Sequence, residues 1–566
     1  MDNPAFPTLT PDQLERVRAA GWERATRPGD LLFREGDDAY DFFVVLSGAV
    51  NVYEDLECAR PITSEPVGPG QFLGEVGLIL GEAVYATARV EAAGAVLQVP
   101  ADRFRQLVGA DTDLAEVVLA AFTARRGIVS DGATGLQMVG SRTDPDAVRI
   151  AEFSRRNYLP FRWLDLEGDG DEAARVLQEH GRTVEDLDES GPVVLWGSET
   201  VLDNPSLLEI ARAVGIGREP EPDAVADLLI VGAGPAGLAA AVYGASEGLD
   251  TVLIDEMGAG GQASWSSRIE NYLGFPAGLS GTELATRATL QARKFGARIV
   301  TPHRAVALRR DGPGYRVDLA DGPPVRGRAV VLATGAHYRR LPVPHLREYE
   351  GAGVYYAATE MEARGCGDAT AVVVGGGNSA GQAAMFLSER AARVLLVVRG
   401  EGLTASMSSY LSERIEASDR VEVRFHAEVR GLEGGGPEGH RALAAVTVED
   451  TQTGESETVE TPALFVFIGA EPCTAWLRPD QDDGALGVAT DRHGFIHTGS
   501  SVTDPDPALW PDGGRPTTFE TSLPGVFAVG DVRAGSTKRV AGAVGEGAVT
   551  VKAVHGRLAT TDRPQD

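Results

Sequence analysis

Two glycine-rich segments constrain the fold of this chain more than any other feature of its sequence. The first is Gly232-Ala233-Gly234-Pro235-Ala236-Gly237, which follows an apolar strand pattern at 227–231 and precedes a helix and a second strand at 251–255. In such a β-α-β unit the glycines allow a tight turn, a close approach of the backbone to a pyrophosphate and close helix–strand packing. The helix N-terminus favours phosphate, and Asp255 or Glu256 can hold ribose hydroxyls. The segment therefore predicts a dinucleotide site.

The second segment repeats this design. It reads Gly375-Gly376-Gly377-Asn378-Ser379-Ala380 after a strand pattern at 370–374, and its second strand ends at Arg399 rather than at an acid. An arginine at this position suits the 2′-phosphate of NADP, whereas a carboxylate would suit the ribose of NAD. The sequence therefore favours NADPH over NADH, with Gly375, Gly377, Asn378, Ser379, Ala380 and Arg399 as the binding residues.

Composition narrows the functional class. The chain has 566 residues, enough for three or four domains, and a net charge of −30, which disfavours nucleic acid and anionic membranes. No long apolar segment and no signal peptide pattern is visible, so we expect a cytoplasmic protein without membrane contact. The three cysteines, Cys58, Cys366 and Cys473, are far apart, which argues against a disulfide scaffold and a metal site.

Residues 1–130 read as a helix, several short strands with glycine turns and a terminal helix over 102–126, which predicts a β-roll with a helical lid. The matching pieces Pro28-Gly29-Asp30, Phe33-Arg34-Glu35-Gly36-Asp37 and Phe72-Leu73-Gly74-Glu75 resemble cyclic-nucleotide-binding domains. The resemblance implies that Glu75 holds a ribose hydroxyl and that a later arginine pairs with the phosphate. Val84 stands at that arginine position, and Arg89 lies five residues on. A degenerate domain is therefore favoured over ordinary nucleotide binding, with a small ligand near Glu75 left open.

Residues 134–218 follow a β-α-β-α-β-α order and resemble the glutaredoxin or thioredoxin fold, with Pro192 where that fold keeps a cis-proline. The redox pair of that fold would lie at 141–144, where no cysteine occurs. The unit therefore cannot carry out dithiol chemistry, and we expect a spacer or docking domain.

Residues 225–560 resemble the low-molecular-weight bacterial thioredoxin reductases. Beyond the two glycine-rich segments, the resemblance rests on Gly260-Gly261-Gln262, on 269–272, on Ala333-Thr334-Gly335, on 527–531 and on Lys538-Arg539-Val540-Ala541. It implies two Rossmann-like α/β domains: an FAD domain over 225–345 and 468–560, and an NAD(P)H domain over 346–467. It also implies a homodimer. The FAD residues implied are Gly232, Gly234, Pro235, Ala236, Gly237, Asp255, Glu256, Gly261, Gln262, Asn271, Ala333, Thr334, Gly335, Gly530, Asp531, Arg539, Val540 and Ala541.

One departure from that family affects the chemistry directly. The family keeps a Cys-x-x-Cys pair just before the second glycine-rich segment, but here the match reads Ala357-Ala358-Thr359-Glu360. Neither Ala357 nor Glu360 can form a thiolate or a disulfide. Glu360 could donate a proton if burial raised its pKa, or it could be a solvated structural carboxylate.

These observations predict an NAD(P)H-dependent FAD oxidoreductase. Hydride would pass from NADPH to FAD and then to a small-molecule or small protein acceptor, without an internal dithiol. Two alternatives remain at this stage. One is a thioredoxin-disulfide reductase with an external cysteine relay, and the other is a flavin-based sensor or scaffold.

Overall fold

The structure of the protein is a computed structural model. It describes residues 5–561 apart from 35–36, 38–39, 54–60, 62–65, 76–77, 79–83, 85, 131–135, 142–143, 158, 160, 167, 186, 188–190, 197–199, 218, 267–268, 270, 351, 357, 359–362, 364–365, 405–406, 436–441, 478–483 and 511–513. Over these ranges no helix is long and apolar enough to cross a membrane. The same ranges contain no cluster of side chains suited to a metal ion.

The N-terminal part is an antiparallel sheet with helices before and after it. Its strand order is β1-β5-β3-β4, with β2 paired to β5, and Phe42, Phe43, Phe72 and Phe104 fill its core. The predicted helix over 102–126 is two helices, because Asp111 interrupts the helical pattern and its side chain accepts the Leu114 N–H at 3.1 Å. The elements are α1 (Pro11–Arg18), β1 (Trp22–Thr26), β2 (Leu31–Phe33), β3 (Phe42–Tyr53), β4 (Phe72–Leu73), β5 (Thr87–Val99), α2 (Ala101–Ala110) and α3 (Thr112–Ser130).

A buried ion pair fixes α3 to the sheet of this N-terminal part. Arg125 donates to Glu75 Oε1 at 2.6 Å, to the Ala5 carbonyl at 2.6 Å and to the Phe72 carbonyl at 2.9 Å. Its guanidinium also lies over the rings of Phe6 and Phe72. The Glu75 carboxylate is completely buried. Arg125 therefore covers the carboxylate that the sequence assigned to a ligand.

The middle part is a four-stranded sheet of order β7-β6-β8-β9, in which β6 and β7 are parallel and β8 and β9 are antiparallel to their neighbours. Strand β9 was not predicted from the sequence. The only cis peptide found in the described ranges is Thr301–Pro302, so the expectation of a cis bond at Pro192 is wrong. The elements are β6 (Leu136–Gly140), α4 (Pro145–Arg156), β7 (Phe161–Asp165), α5 (Gly170–Glu179), β8 (Val193–Trp196), β9 (Thr200–Asp203) and α6 (Leu207–Ala213).

The first glycine-rich segment belongs to a seven-stranded sheet of order β12-β11-β10-β15-β14-β13, with β26 paired to β15. Because β26 comes from the end of the chain, this sheet is assembled from two separated stretches. Its elements are β10 (Val225–Val231), α7 (Pro235–Ser246), β11 (Thr251–Ile254), α8 (Gly281–Lys294), β12 (Arg298–Val300), β13 (Ala305–Asp311), β14 (Gly314–Leu319), β15 (Val325–Leu332), β26 (Val526–Ala528) and α12 (Val540–Thr561).

The second glycine-rich segment belongs to a parallel sheet of order β17-β24-β18-β19-β20, next to a three-stranded sheet β21-β22-β23. A two-stranded ribbon of β16 and β25 stands where the chain passes between the two nucleotide-binding sheets. The elements are β16 (Ala336–Tyr338), α9 (Leu346–Tyr349), β17 (Val354–Tyr355), β18 (Thr370–Val374), α10 (Asn378–Ser388), β19 (Arg393–Val397), α11 (Ser409–Glu416), β20 (Val421–Arg424), β21 (Ala427–Gly435), β22 (Ala442–Asp450), β23 (Ser456–Glu460), β24 (Ala463–Val466) and β25 (Ala470–Pro472).

The N-terminal part is docked on the first nucleotide-binding part through α2 and α8. Lys294 at the end of α8 donates to the carbonyl of Gly109, and Leu290 packs against the N-terminal core. The N-terminal part therefore contacts the nucleotide-binding unit through its helix α2.

The Arg125 ion pair yields a stability prediction. Arg125→Met leaves the Glu75 carboxylate buried without its cation, which costs about 3–5 kcal/mol. We expect faster backbone amide exchange in α3, measured by mass spectrometry. Arg103→Met, at an exposed position on α2, is the matched control and should leave exchange unchanged. Equal exchange in the two variants would contradict the structural importance of the pair, and adding Glu75→Gln to Arg125→Met should recover part of the loss.

Candidate functional site

The first glycine-rich turn is held by backbone contacts that leave no room for side chains. Gly232 has φ +107°, and a Cβ there would lie 2.4 Å from the Ala333 oxygen. A Cβ at Gly237 would lie 1.8 Å from the Gly232 oxygen, so α7 can approach β10 only with glycine at this position. Helix α7 begins at Pro235 without a side-chain cap on Gly234, so its first N–H groups remain available to a phosphate. This cradle fits a pyrophosphate.

The two acids after β11 have different roles. The Asp255 carboxylate accepts the N–H groups of Ala233 at 2.8 Å, Met257 at 2.9 Å and Gly258 at 3.0 Å, so it fixes the loop itself. Glu256 lies in the cleft. Desolvation by its surroundings and the adjacent Asp255 raise the pKa of Glu256, while Arg304 and Arg156 oppose this shift. Of the two acids, Glu256 is the one positioned to meet a ribose.

The C-terminal residues assigned to FAD lie against the same cradle. The Gly530 N–H donates to Glu546 Oε2 at 2.7 Å, and Arg533 also pairs with Glu546. Burial raises the pKa of Asp531, with Lys538 opposing the shift. Helix α12 crosses α7 closely, since a Cβ at Gly547 would lie 2.1 Å from the Ala236 oxygen.

Two polar side chains connect the cradle to the β16–β25 ribbon. Gln262 Nε2 donates to the Ala336 carbonyl at 2.5 Å, and Thr334 Oγ1 donates to the Cys473 carbonyl at 2.9 Å. Tyr338 of this ribbon stacks on Tyr356, with ring centroids 5.5 Å apart. Burial raises the pKa of both phenols. Tyr356 directly precedes residue 357, where the resemblance places the first thiol of the dithiol.

The second glycine-rich turn has the same geometry as the first. Gly375 has φ +140°, and a Cβ there would lie 2.4 Å from the Phe467 oxygen. Helix α10 begins at Asn378, whose Oδ1 accepts the Ser408 N–H at 2.8 Å. The Arg399 side chain is exposed at the cleft after β19, and the described residues supply no ion pair to it. A 2′-phosphate can therefore approach this guanidinium.

One cleft of about 3070 Å³ is lined both by residues assigned to FAD and by residues assigned to NADPH. Gly237 and Ala380 do not line it, because each lies beneath its turn where helix and strand pack. The predicted residues that line it are Gly232, Gly234, Pro235, Ala236, Asp255, Glu256, Gly261, Gln262, Asn271, Ala333, Thr334, Gly335, Gly530, Asp531, Arg539, Val540, Ala541, Gly375, Gly377, Asn378, Ser379 and Arg399.

The cleft contains no dithiol in the described part of the chain. Cys366 is 1% exposed inside the core of the second nucleotide-binding sheet, and burial raises the pKa of its thiol to about 11. Cys473 lines the cleft, where burial and the nearby acids raise its pKa to about 12. Both values disfavour a thiolate at neutral pH. Ala358 also lines the cleft, while Glu360, the predicted proton donor, lies outside the described residues.

The N-terminal part lacks the expected phosphate partner. Val84, at the position of the family's arginine, is buried in the apolar core. Arg89 lies over the ring of Tyr53 and donates to the Tyr53 hydroxyl at 2.7 Å and to Glu91 at 3.0 Å. Arg125 occupies Glu75 Oε1, whereas Glu75 Oε2 is buried without a hydrogen-bond partner among the described residues.

Sequence reasoning missed one wall of the cleft. Arg149, Glu152 and Arg156 of α4 line it, although α4 belongs to the middle part of the chain. The β-α-β-α-β-α order of residues 134–218 predicted this helix, but its packing partner has no local signal in the sequence.

The Gly237 contact yields a prediction for cofactor content. Gly237→Ala forces α7 away from β10, so the α7 N-terminus no longer faces the phosphates. We expect the Kd for FAD to rise roughly tenfold or more, the effect of losing 1.4 kcal/mol of binding free energy, and the FAD content of the purified protein, measured by absorbance after denaturation, to fall. Gly556→Ala, in open space on α12, should keep its FAD and gain about 0.5–1 kcal/mol of stability. Full FAD content in Gly237→Ala would refute the packing argument.

Two family models and several curated proteins match this chain. Residues 226–547 match the family model of pyridine nucleotide-disulphide oxidoreductases, and residues 23–111 match that of the cyclic nucleotide-binding domain. The chain is 33% identical to the thioredoxin reductase of Bacillus subtilis over 328 residues, which cover 58% of this chain and 93% of that protein. It is 32% identical to the thioredoxin reductase of Treponema pallidum over 327 residues, 58% of this chain and 95% of that one.

A solved structure agrees with these relatives. The thioredoxin reductase from Streptococcus pyogenes aligns with a TM-score of 0.51 and 30% identity, covering 60% of this chain and 99% of that one. The predicted resemblance of the C-terminal module and of the N-terminal domain is thereby confirmed, whereas the glutaredoxin-like middle part stays a prediction. The chain belongs to the pyridine nucleotide-disulphide oxidoreductase family and is a thioredoxin-reductase-like oxidoreductase with an N-terminal cyclic nucleotide-binding domain.

Proposed function

We propose that this protein is an NADPH-dependent FAD oxidoreductase that delivers electrons to an external acceptor without an internal dithiol. The observation that carries the proposal is the single cleft lined by both glycine-rich turns, with no thiol pair in the described residues beside it. FAD, when bound, supplies the two-electron carrier between the reduced nicotinamide and the acceptor.

The residues of this chain bind and orient the two dinucleotides. The N-termini of α7 and α10 would present N–H groups to the phosphates, and Glu256 would hold the ribose of FAD. Arg399 supplies the charge that favours NADPH over NADH. Asp531 and Lys538, from the C-terminal part of the chain, line the same cleft. Burial raises the pKa of Asp531.

The acceptor is proposed to meet the flavin directly, as a small molecule or a small protein. Ala357 and Glu360 replace the two cysteines of the family, so the usual route of electrons to a disulfide is absent. The thioredoxin reductases to which the chain is similar remain the basis for a second candidate, a disulfide reductase with an external cysteine relay.

We also propose a homodimer, as the resemblance to thioredoxin reductases implies. Three large apolar side chains are exposed: Tyr243 on α7 at 46%, Val549 on α12 at 62% and Leu273 in the loop before α8 at 94%. Helices α7 and α12 pack on each other, so two of these residues lie on neighbouring helices. Such an apolar surface supports association between two copies.

The N-terminal domain is proposed to serve packing or another small ligand rather than ordinary cyclic nucleotide binding. The supporting observations are the buried Val84 and the Arg125 that covers Glu75. For the middle domain, the strand order β7-β6-β8-β9 with parallel β6 and β7 supports the proposed glutaredoxin-like fold.

The nicotinamide preference can be tested by anaerobic mixing of the yellow protein with NADPH or NADH while flavin absorbance is followed. We expect fast bleaching with NADPH. Arg399→Gln should raise the Kd of NADPH about tenfold or more, because a charge-assisted contact to the 2′-phosphate is lost. NADH, which has no 2′-phosphate, is the internal control and should be unaffected by the variant. No bleaching of the wild type with either nucleotide would refute the proposed function.

The route of electrons can be tested with a variant that has no cysteine. Cys58→Ser, Cys366→Ala and Cys473→Ser together should leave NADPH oxidation with a quinone acceptor within about twofold of wild type, since neither described thiol is poised to ionise. The measurement is steady-state NADPH oxidation, with far-UV circular dichroism to verify folding. Loss of turnover in the folded variant, with flavin bleaching preserved, would show that one of these three cysteines carries electrons and would contradict the proposed route.

A further inference from the structure

Helix α4 of the middle domain forms part of the nucleotide cleft. Arg149, Glu152 and Arg156 face the cleft that the two glycine-rich turns share, and so do Ser206, Leu207 and Leu208 at the start of α6. The middle domain is thus a wall of the cleft and not a unit held away from it.

The docking of α4 is anchored next to the residues assigned to the FAD ribose. Asn157, directly after α4, donates through Nδ2 to the Met257 carbonyl at 2.7 Å. The Met257 side chain packs against the core of the middle domain, and a Cβ at Gly258 would lie 2.9 Å from Asn157 Oδ1. Met257 and Gly258 are also the residues whose N–H groups Asp255 accepts. One short loop therefore fixes both Glu256 and α4.

Two charged side chains of α4 act electrostatically on Glu256. Arg156 pairs with Glu152 at 2.6 Å, and the two side chains are only 9% and 17% exposed. Arg156 lowers the pKa of Glu256 and Glu152 raises it, and the two charges act in the same directions on the pKa of His337 at the β16–β25 ribbon. Arg304 also acts on Glu256. Glu256 therefore lies under the influence of arginines that come from two different domains.

We propose that α4 is a component of the FAD site, in which Arg156 contributes positive charge to the adenosine diphosphate half of FAD and the middle domain retains the flavin. The Arg156 guanidinium also interacts electrostatically with Glu256, the residue positioned for the ribose. This inference rests on the proposed function, because it needs FAD to occupy the first glycine-rich cradle.

The first test follows hydrogen exchange of the full-length wild-type protein, freed of FAD and then reconstituted with it. If α4 closes over the cofactor, added FAD slows amide exchange in residues 145–156. Helix α5 belongs to the same domain but does not line the cleft, so its exchange should stay unchanged. Equal exchange of α4 with and without FAD would overturn the proposal.

The second test compares three variants by titrating the apoprotein with FAD and following flavin fluorescence. Arg156→Gln should raise the Kd of FAD roughly tenfold, the effect of losing one contact to a charged group. Glu152→Gln breaks the same ion pair but keeps the cation, so it should bind FAD at least as tightly as wild type. Arg155→Gln, exposed and outside the cleft, is the matched control.

The variants separate a charge effect from a packing effect. Equal weakening by Arg156→Gln and Glu152→Gln would show that the pair only supports the fold, and an unchanged Kd in Arg156→Gln would exclude its contact with FAD. Either result overturns the proposal while the proposed function stands. A wild-type protein that binds no FAD would instead refute the proposed function. The exchange experiment needs no variant, so it decides the matter even if Arg156→Gln fails to fold.

Discussion

The contact between the backbone of α7 and that of β10 sets the position of almost everything in the first nucleotide-binding part. Because Gly237 and Gly232 lack side chains, the helix lies against the strand, and its N-terminus stops at the carboxyl edge of the sheet. Gly547 then lets α12 approach the same helix, which brings Gly530 and Asp531 to the cradle. One close approach of backbone atoms thus determines where two distant stretches of the chain meet.

The sequence predicted what depends on local patterns. The glycine spacing identified both turns, because a tight turn depends on residues that are adjacent in the sequence. Prediction failed where the local signal is weak or where long-range packing decides. The strand β9 is short and only half-buried, so it lacks a hydrophobic signature, and the break at Asp111 depends on a local cap within an otherwise helical pattern. No local signal could reveal that Arg156 and Glu256, a hundred residues apart, share a cleft or that Arg125 covers Glu75.

Charge is distributed against the overall trend at the cleft. The chain carries a net charge of −30, yet the cleft gathers Arg149, Arg156, Arg304, Arg399 and Arg539 around its acids. Eight Arg or Lys side chains and eight Asp or Glu side chains line the cleft, so its charge is balanced whereas the chain as a whole is strongly acidic. A cleft less acidic than the rest of the chain suits anionic dinucleotides, while the net charge of the chain discourages extended polyanions such as nucleic acid. The ion pair of Glu75 and Arg125 has a different role. It joins two elements of one domain and is buried away from solvent.

The ribbon of β16 and β25 has a mechanical consequence. The chain crosses between the two nucleotide-binding sheets here in both directions, and the crossings are paired side by side from Ala336–Pro472 to Tyr338–Ala470. A pair of bonded strands resists shear and stretching far more than twisting. We therefore expect any reorientation of the second sheet to proceed mainly by twisting of this ribbon, where Tyr338 stacks on Tyr356.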